Sequence, residues 1–480
     1  MACTTLLVGK KACYDGSTLV ARTEDCGAGK FAPKKWTVVL PKDQPRIYKS
    51  VLSKAEIKLP NDPMRYTAMP NAIDSEGIWG AAGVNERNVA MTATETITSN
   101  ERVLGADPMV DTGIGEEDLV TLVLPYIHTA REGVLRLGEL LSTYGTYEKN
   151  GIAFHDENEI WWLETVGGHH WIAKRVPDDA YVVMPNQLGI DEFDLEDALG
   201  AQREHLCSKD LKAFIEENHL DLSLDGHLNP RDAFGSHSDA DHTYNTPRAW
   251  IIQRYFNPSE NAWDGEYADY TPASDDIPWA RKPEKKITVE DVKYVLSHHY
   301  QGTPYDVYAR REGRPPFRPI GINRNNVLVL TQIRPDMPEA VKALEWIAFG
   351  SSTFNALIPF YANIGRVPEY LASATARVTS ENLYWQSRII AALADAHFHE
   401  NIAHIERYQM AVQSKGHALI KQYDGQVQRE GLCYESASAL LEKANDEIAC
   451  MAKKQTDDLL DKVLFETSVL MHNAFSRSDG

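Results

Sequence analysis

The first 26 residues alternate short apolar runs with polar turn residues. Residues 3–9 and 18–25 are rich in β-branched and aliphatic side chains, and the segment between them carries turn residues bounded by two glycines. This pattern predicts a β-hairpin. If the two glycines face each other, Cys3 lies opposite Arg22 and near Asp25. A slip of one residue would turn every side chain to the other face, so this register is a hypothesis.

Similar runs later in the chain predict further strands, and other segments predict helices. The predicted strands are at 77–84, 89–97, 151–156, 159–166, 169–176, 180–186, 327–333 and 343–350. Apolar residues recur every three or four positions in the helical segments. The predicted helices are at 117–142, 195–217, 288–300 and from about 380 to the end of the chain. The third of these opens with a pattern like a capping box, Thr288 with Asp291.

The order of these elements indicates the fold class. Strands in two groups, helices between them and a helical tail favour the α+β class, with antiparallel sheets covered by helices. Residues 220–245 are predicted to form a polar loop, and residues 257–286, rich in Pro, Asp and Trp, an extended excursion over the surface. We expect one core over residues 1–365 and a C-terminal helical region over 366–480.

Composition excludes several classes of protein. The chain has 480 residues, with 49 basic and 69 acidic side chains and a net charge of −20, which argues against binding to nucleic acid. No apolar run approaches the roughly 20 residues of a membrane span, and the N-terminus lacks the features of a secretory signal. The six cysteines form no C-x-x-C pair, which argues against a disulfide scaffold and a zinc site. We therefore expect a soluble, cytoplasmic protein without a membrane partner.

Cys3 is the first candidate for chemistry because of its position. A thiolate is a strong nucleophile, but a free thiol with a pKa of about 8.5 is mostly protonated at neutral pH. If Cys3 became the first residue, its own α-amine, with a pKa of about 8, could act as the base. Arg22 could favour the thiolate, and Asp25 could orient the amine. The alternative is that Cys3 is a buried strand residue, as free cysteines often are.

A family resemblance sharpens this picture. The opening MACTTLLVGKKACYDGSTLVARTED resembles that of bacterial dipeptidases within the N-terminal-nucleophile (Ntn) hydrolases, cysteine enzymes related to penicillin V acylases and conjugated bile salt hydrolases. The similarity continues over 80–96, 244–250, 289–306 and 343–364, and so covers most of the chain. It implies a four-layer αββα sandwich of two antiparallel sheets, with the nucleophile at the start of a central strand and no metal or organic cofactor.

The resemblance also assigns roles to individual residues. Cys3 matches the nucleophile, and Arg22 and Asp25 match an Arg-x-x-Asp motif that flanks the thiol and the α-amine. Asn186 resembles an asparagine that holds the oxyanion and the amine, although a plain turn residue after a strand would also fit. Arg248, within YNTPR, resembles a second active-site arginine, and its alternative role is a structural salt bridge.

One position departs from the related acylases. Where they carry an Asn or Tyr that can donate to the oxyanion, this chain has Glu95. An ionised carboxylate cannot donate a hydrogen bond. A dipeptide brings a free ammonium group to the site, so Glu95 is interpreted as a substrate-binding residue that pairs with this ammonium.

The resulting prediction is a cysteine dipeptidase that forms an acyl-enzyme and binds dipeptides with a free N-terminus. Removal of Met1 leaves Ala2 ahead of Cys3, so the Cys3 amine is not yet free. A further cleavage, for which Cys3 itself is the candidate, is therefore required. Two alternatives stay open: an amidase or acylase acting on acyl-amino acids or β-lactam side chains, and a non-catalytic relative that works through protein contacts. The apolar helical tail favours a homo-oligomer.

Histidine clusters offer a competing metal hypothesis. Imidazole and carboxylate groups suit zinc, but none of these clusters has a recognisable ligand spacing, so surface or supporting roles are favoured. The clusters are His169 with His170, His237 with Asp239, Asp241 and His242, and His298 with His299.

Overall fold

Two antiparallel sheets form the centre of the molecule. The computed structural model of the chain describes residues 3–27, 29–224, 226–309, 313 and 316–473, with the backbone alone at 94 and 95. The strands are β1 (Thr4–Val8), β2 (Thr18–Asp25), β3 (Thr37–Val39), β4 (Ile47–Lys49), β5 (Glu56–Lys58), β6 (Tyr66–Ala68), β7 (Ala82–Val84), β8 (Ala90–Thr96), β9 (Asn150–His155), β10 (Ile160–Thr165), β11 (Trp171–Arg175), β12 (Tyr181–Met184), β13 (His205–Cys207), β14 (Ala280–Arg281), β15 (Asn325–Ile333), β16 (Ala343–Phe349) and β17 (Ile358–Tyr361).

Short helices lie between the strands, and long helices follow them. The α-helices are α1 (Glu101–Ala106), α2 (Leu119–Val123), α3 (Ala130–Tyr144), α4 (Leu195–Leu199), α5 (Leu211–Glu217), α6 (Pro230–Phe234), α7 (Asp241–Tyr244), α8 (Thr246–Phe256), α9 (Val289–Val295), α10 (Glu369–Ala372), α11 (Leu383–Asp395), α12 (Phe398–Glu430) and α13 (Tyr434–Val469). Single 3₁₀ turns lie at Pro41–Asp43, Asp74–Glu76, Leu124–Tyr126 and Glu339–Val341. In the described part of the chain, no helix is both long and apolar enough to cross a membrane.

The larger sheet has seven strands in the order β14-β12-β1-β2-β15-β16-β17, and the second has six in the order β13-β11-β10-β9-β8-β7. Neighbouring strands in both sheets run antiparallel. Two small two-stranded sheets, β3-β6 and β4-β5, complete the strand pairing. The prediction of an α+β protein with antiparallel sheets and a helical C-terminal region is confirmed.

Three groups of buried apolar side chains show how these elements pack. Leu7 and Val20 from the larger sheet share one cluster with Ala153 and Trp162 from the second. A second cluster joins the opposite face of the larger sheet to α8, α9 and α11–α13. A third joins the opposite face of the six-stranded sheet to α2 and α3. Because inward and outward positions alternate along a strand, each sheet contributes side chains to two clusters.

The N-terminal hairpin is confirmed, but its predicted register is wrong by two residues. Arg22 pairs with Thr5 rather than with Cys3. Gly9 does not face the second glycine, because its backbone lies against a neighbouring turn, where a Cβ would be 2.4 Å from the Pro177 carbonyl oxygen. A shift of two residues preserves the face of each side chain, so Cys3 and Arg22 still point the same way.

Two predicted helices are interrupted. The segment 117–142 forms α2 and α3 with a break between them, because Pro125 lacks an amide proton and Thr129 caps a new helix by accepting from the Glu132 N–H. The segment 195–217 contains strand β13 between α4 and α5. There Asp197 accepts hydrogen bonds from the backbone of residues 203–205 and so reverses the chain after α4.

Other elements match or refine the prediction. The capping box of Thr288 and Asp291 is present at the start of α9. The predicted strand at 77–84 shortens to β7, because Trp79 and Ala81 adopt left-handed backbone conformations with φ of 49° and 54°. The predicted strand at 180–186 forms β12, which pairs with β1 and so belongs to the larger sheet, whereas the three predicted strands before it lie in the six-stranded sheet. The predicted polar loop at 220–245 contains the short helices α6 and α7.

Candidate active site

Cys3 immediately precedes β1, the third strand in the order of the larger sheet, and its side chain is fully buried. Because Thr5 and Arg22 are paired, Cys3 and Arg22 are diagonal neighbours on one face of the hairpin. The Arg22 Nη2 group donates to the Cys3 Sγ at 3.2 Å. A guanidinium at this distance favours the thiolate over the thiol.

Two buried acids and a lysine surround Arg22. Its Nη2 also donates to the Glu116 carboxylate, and its Nη1 donates to the Ala81 carbonyl at 3.1 Å. Glu24 lies 3.9 Å from Nη2 and forms an ion pair of 2.7 Å with Lys34. Each of these four charged side chains is at most 1% exposed. Two cations and two carboxylates therefore balance one another inside the protein, as buried charges must.

Two carboxyl groups on this side of Cys3, those of Glu116 and Glu148, have raised pKa values. Burial raises the pKa of Glu116, and the charge of Glu24 raises it further against the opposing effect of Arg22. The Glu116 backbone N–H donates to Glu148 Oε1 at 2.6 Å. Burial, with the nearby charge of Glu116, raises the pKa of Glu148 to about 7. Protonation on this side of the site can therefore change near neutral pH.

The main chain of Cys3 is held by a different group of residues. Its backbone N–H donates to Asn186 Oδ1 at 3.0 Å. Arg248, fully buried in α8, donates to the Cys3 carbonyl, to Thr4 Oγ1 at 2.7 Å and to Asn186 Oδ1 at 2.7 Å. These contacts fix the start of β1 at both its N–H and its C=O.

The YNTPR segment explains how Arg248 reaches this position. Pro247 lies at the start of α8, where a missing amide proton costs nothing. Asn245 accepts from Arg248 Nη2 at 2.6 Å and from the backbone N–H of Asn186 at 3.2 Å. The same amide donates to the Asn186 carbonyl at 3.2 Å. The segment thus ties the end of β12 to the start of α8 and to Cys3.

Asp25 lies three positions beyond Arg22 on β2. Its carboxylate accepts from Arg318 and from Asn325, both buried. Asn325 in turn accepts from Ser352, from its N–H at 3.2 Å and its hydroxyl at 3.0 Å. Asp25 is therefore anchored rigidly beside the hairpin. Glu95 lies in β8, but its side chain falls outside the described residues, so its substrate-binding role stays a prediction.

The structure brings Cys3, Arg22, Asn186 and Arg248 together and places Asp25 on the strand that carries Arg22. Sequence reasoning did not single out the supporting residues, which are Glu24, Lys34, Glu116, Asn245, Arg318 and Asn325. For Glu116 the available signal was its place in the acidic run Glu116-Glu117-Asp118, at the start of the predicted helix 117–142. The guanidinium beside the buried thiol favours the thiolate, which is the nucleophilic form of cysteine.

The histidine clusters do not assemble a metal site. His169 and His170 donate from their backbones to Asp107 and share its carboxylate through their Nδ1 atoms, at 2.9 and 2.7 Å. His299 hydrogen-bonds to Asp306 at 2.8 Å. Across the residues that the structure describes, no group of three or more His, Cys, Asp or Glu side chains could hold a metal ion.

Comparison with known proteins identifies the family. The sequence model of Peptidase family C69 matches residues 2–411. This match covers most of the chain, which therefore belongs to Peptidase family C69 and is a peptide hydrolase. The resemblance to the bacterial dipeptidase family is confirmed.

Individual relatives cover the chain almost completely. A dipeptidase of Bifidobacterium longum (strain NCC 2705) is 55% identical over 532 residues, with 100% of both chains covered. A probable dipeptidase A of Streptococcus pyogenes serotype M3 is 54% identical over 484 residues, again with 100% of both covered. Dipeptidase A of Lactobacillus helveticus is 43% identical over 478 residues, covering 98% of this chain and 97% of the relative.

Proposed function

We propose that this chain hydrolyses dipeptides that have a free N-terminus, with Cys3 as the nucleophile. The observation that supports this proposal most strongly is the Arg22 guanidinium 3.2 Å from the Cys3 sulfur. The substrate class follows from the relatives, several of which are named dipeptidase. The fold proposed with it is the αββα sandwich of the Ntn hydrolases, which is consistent with the three apolar clusters.

The proposed reaction begins with removal of the residues before Cys3, by Cys3 itself. The freed α-amine takes the proton of the Cys3 thiol, and the thiolate attacks the scissile carbonyl. The carbon–nitrogen bond breaks, the amine passes the proton to the leaving amino acid, and a thioester to Cys3 remains. The same amine then activates a water molecule, which releases the second amino acid and restores the thiol.

The surrounding residues have distinct roles in this proposal. Arg22 favours the thiolate. The side-chain oxygen of Asn186 accepts a hydrogen bond from the Cys3 nitrogen, and its amide nitrogen supplies a neutral donor to the oxyanion. Arg248 fixes the Asn186 oxygen and the Cys3 carbonyl. Asp25 orients the amine, since a carboxylate has about four acceptor positions and can serve a donor besides Arg318 and Asn325.

A substrate panel tests this proposal directly. The purified chain is assayed against free dipeptides, N-acetylated dipeptides, acyl-amino acids and β-lactam amides, with and without EDTA. We expect hydrolysis of the free dipeptides alone, unchanged by the chelator. Preference for the acylated compounds would favour the amidase or acylase alternative. Hydrolysis of none of them would favour the non-catalytic alternative, and a loss in EDTA that zinc restores would favour the histidine clusters.

Several earlier expectations stay predictions. They are the binding of the substrate ammonium by Glu95, self-processing, a homo-oligomeric state, a cytoplasmic location, and the division into a core over 1–365 and a helical region over 366–480. The long helices α12 and α13 share the apolar cluster on the outer face of the larger sheet. The exposed apolar side chains near the end of α13, among them Phe465 at 68% exposure, are consistent with subunit contact.

A further inference from the structure

Glu116 is linked to the Cys3 sulfur through a single nitrogen atom. The Arg22 Nη2 group donates to the Glu116 carboxylate and also lies 3.2 Å from the sulfur. Both side chains are buried, so water does not screen the contact. A displacement of the Glu116 carboxylate would therefore move the guanidinium relative to the thiol.

Glu116 is itself held in place by its neighbours. Its backbone N–H donates to Glu148 Oε1 at 2.6 Å. The following residue, Glu117, accepts from the backbone N–H groups of Val51 and Leu52 at 2.7 and 2.8 Å. Asp118 accepts from the Tyr48 hydroxyl at 2.6 Å. The acidic segment is thus preorganised, which is what a group that positions another residue requires.

We propose that Glu116 is a positioning residue that holds the Arg22 guanidinium against the Cys3 thiol. The negative charge of Glu116 also offsets part of the positive charge of this guanidinium and so limits how strongly Arg22 favours the thiolate. This inference rests on the proposed function of Cys3. Glu116 acts through Arg22 and contributes no atom to the reacting bonds.

The charge balance around the pair gives the direction of the effect. The charged and titratable groups near Glu116 are Arg22 and Glu24 on β2, Glu117 and Asp118 next to it in the chain, and Tyr147 and Glu148 before β9, with Lys34 paired to Glu24. Replacement of Glu116 by a neutral amide removes a negative charge from the side of Arg22. The positive charge of the guanidinium is then offset by less negative charge, so it favours the thiolate more strongly and the thiolate forms at lower pH. The guanidinium also loses a strong acceptor and is held less precisely.

The pH dependence of Cys3 alkylation by iodoacetamide, followed by mass spectrometry, tests this proposal. In Glu116→Gln we expect the midpoint of alkylation to fall by about one pH unit. We expect kcat for a dipeptide to fall about tenfold with little change in KM, because the substrate is not contacted. In Glu116→Asp the charge is kept but the reach is shorter, so the midpoint should stay closer to that of the unmodified protein.

Glu117→Gln is the matched control, since Glu117 is equally buried and adjacent but bonds to residues 50–52 rather than to Arg22. Its alkylation midpoint should move much less than that of Glu116→Gln. A Glu116→Gln midpoint that is unchanged or higher, while alkylation of Cys3 still abolishes hydrolysis, would overturn the role of Glu116 alone. If the alkylated protein still hydrolysed dipeptides, the proposed function of Cys3 would fail instead.

Discussion

On one face of β2, Arg22 lies against the Cys3 sulfur and the buried carboxylates of Glu24 and Glu116. Three positions further along the strand, Asp25 is bonded to Arg318 and Asn325. An odd spacing in a strand places the two side chains on opposite faces. The first face contacts the Cys3 side chain, the proposed nucleophile, and the second carries Asp25, which is proposed to orient the Cys3 amine.

The two faces use different chemistry. The first face, which we call the sulfur face, contains the carboxyl groups of Glu116 and Glu148. Their pKa values are raised, that of Glu148 to about 7, so the charge on this face can vary with pH. On the other face, Asp25 pairs with the Arg318 guanidinium and accepts from the Asn325 amide, whose oxygen accepts from the N–H and hydroxyl of Ser352, so neutral groups complete the contacts around this ion pair. The contacts of Arg248 and Asn186 to the Cys3 backbone are likewise to carbonyl, amide and hydroxyl groups. We infer that one side tunes the charge of the thiol, while the other fixes its geometry.

Removal of the sulfur has the largest expected effect. Cys3→Ala should lower kcat for a dipeptide by a factor on the order of 10⁴–10⁶, as loss of a nucleophile does. Cys433→Ala, a substitution of an exposed cysteine, should retain full activity. Both are checked by steady-state kinetics. Substantial hydrolysis by Cys3→Ala would show that the reactive group lies elsewhere.

The side that fixes the geometry of Cys3 is tested next, through Asn186. Asn186→Asp keeps an acceptor for the Cys3 N–H and for Arg248, but removes the amide donor proposed for the oxyanion. We expect kcat to fall by about 10²–10³ with KM nearly unchanged. Pre-steady-state measurement of acyl-enzyme formation separates this effect from product release. A normal acylation rate would assign the oxyanion to other donors.

Arg248→Lys probes how much the same side contributes to stability. Lysine offers three donors from one atom and cannot replace a planar group that serves five residues. We expect the free energy of unfolding in urea to fall by about 2–4 kcal/mol and kcat to fall about tenfold. The control is Arg254→Lys on the same helix, whose partner Asp264 is 61% exposed and whose ion pair should contribute under about 1 kcal/mol. If the two variants were equally stable, this would contradict the account in which the contacts of Arg248 hold the Cys3 main chain in place.

The last prediction concerns titration on the sulfur face. Burial and the charge of Glu116 raise the pKa of Glu148 to about 7 in the folded protein, against about 4.3 in an unfolded chain. The stabilisation due to this proton is complete below about pH 4 and is lost as the pH rises through about 7. In Glu148→Gln this slope, at most about 1.4 kcal/mol per pH unit, should disappear from unfolding measured between pH 4.5 and 7.5.

Glu139→Gln, an exposed substitution on α3, makes the same change in net charge and should keep the original pH slope. If Glu148→Gln and Glu139→Gln gave identical profiles, the titrating group near neutral pH would have to be sought elsewhere on the sulfur face.

Much of this arrangement could be predicted from sequence, and the rest depends on contacts between distant segments. The hairpin that carries Cys3 and Arg22 is local, so apolar runs and turn residues were enough to predict it. The register of the hairpin could not be predicted in this way, because Gly9 is required by the turn at Pro177 rather than by its own hairpin. Glu116 and Arg22 are 94 residues apart, and no periodicity relates them. The break at Pro125 was visible in the sequence but was outweighed by the helical spacing around it.

The intact mass of the purified, dipeptide-hydrolysing protein tests the central claim most directly, because it fixes the first residue of the active chain. We predict a mass corresponding to a chain that begins at Cys3, which supplies the α-amine proposed as the base. A fully active chain that still carries Ala2 would have an amide at this nitrogen and would contradict the account.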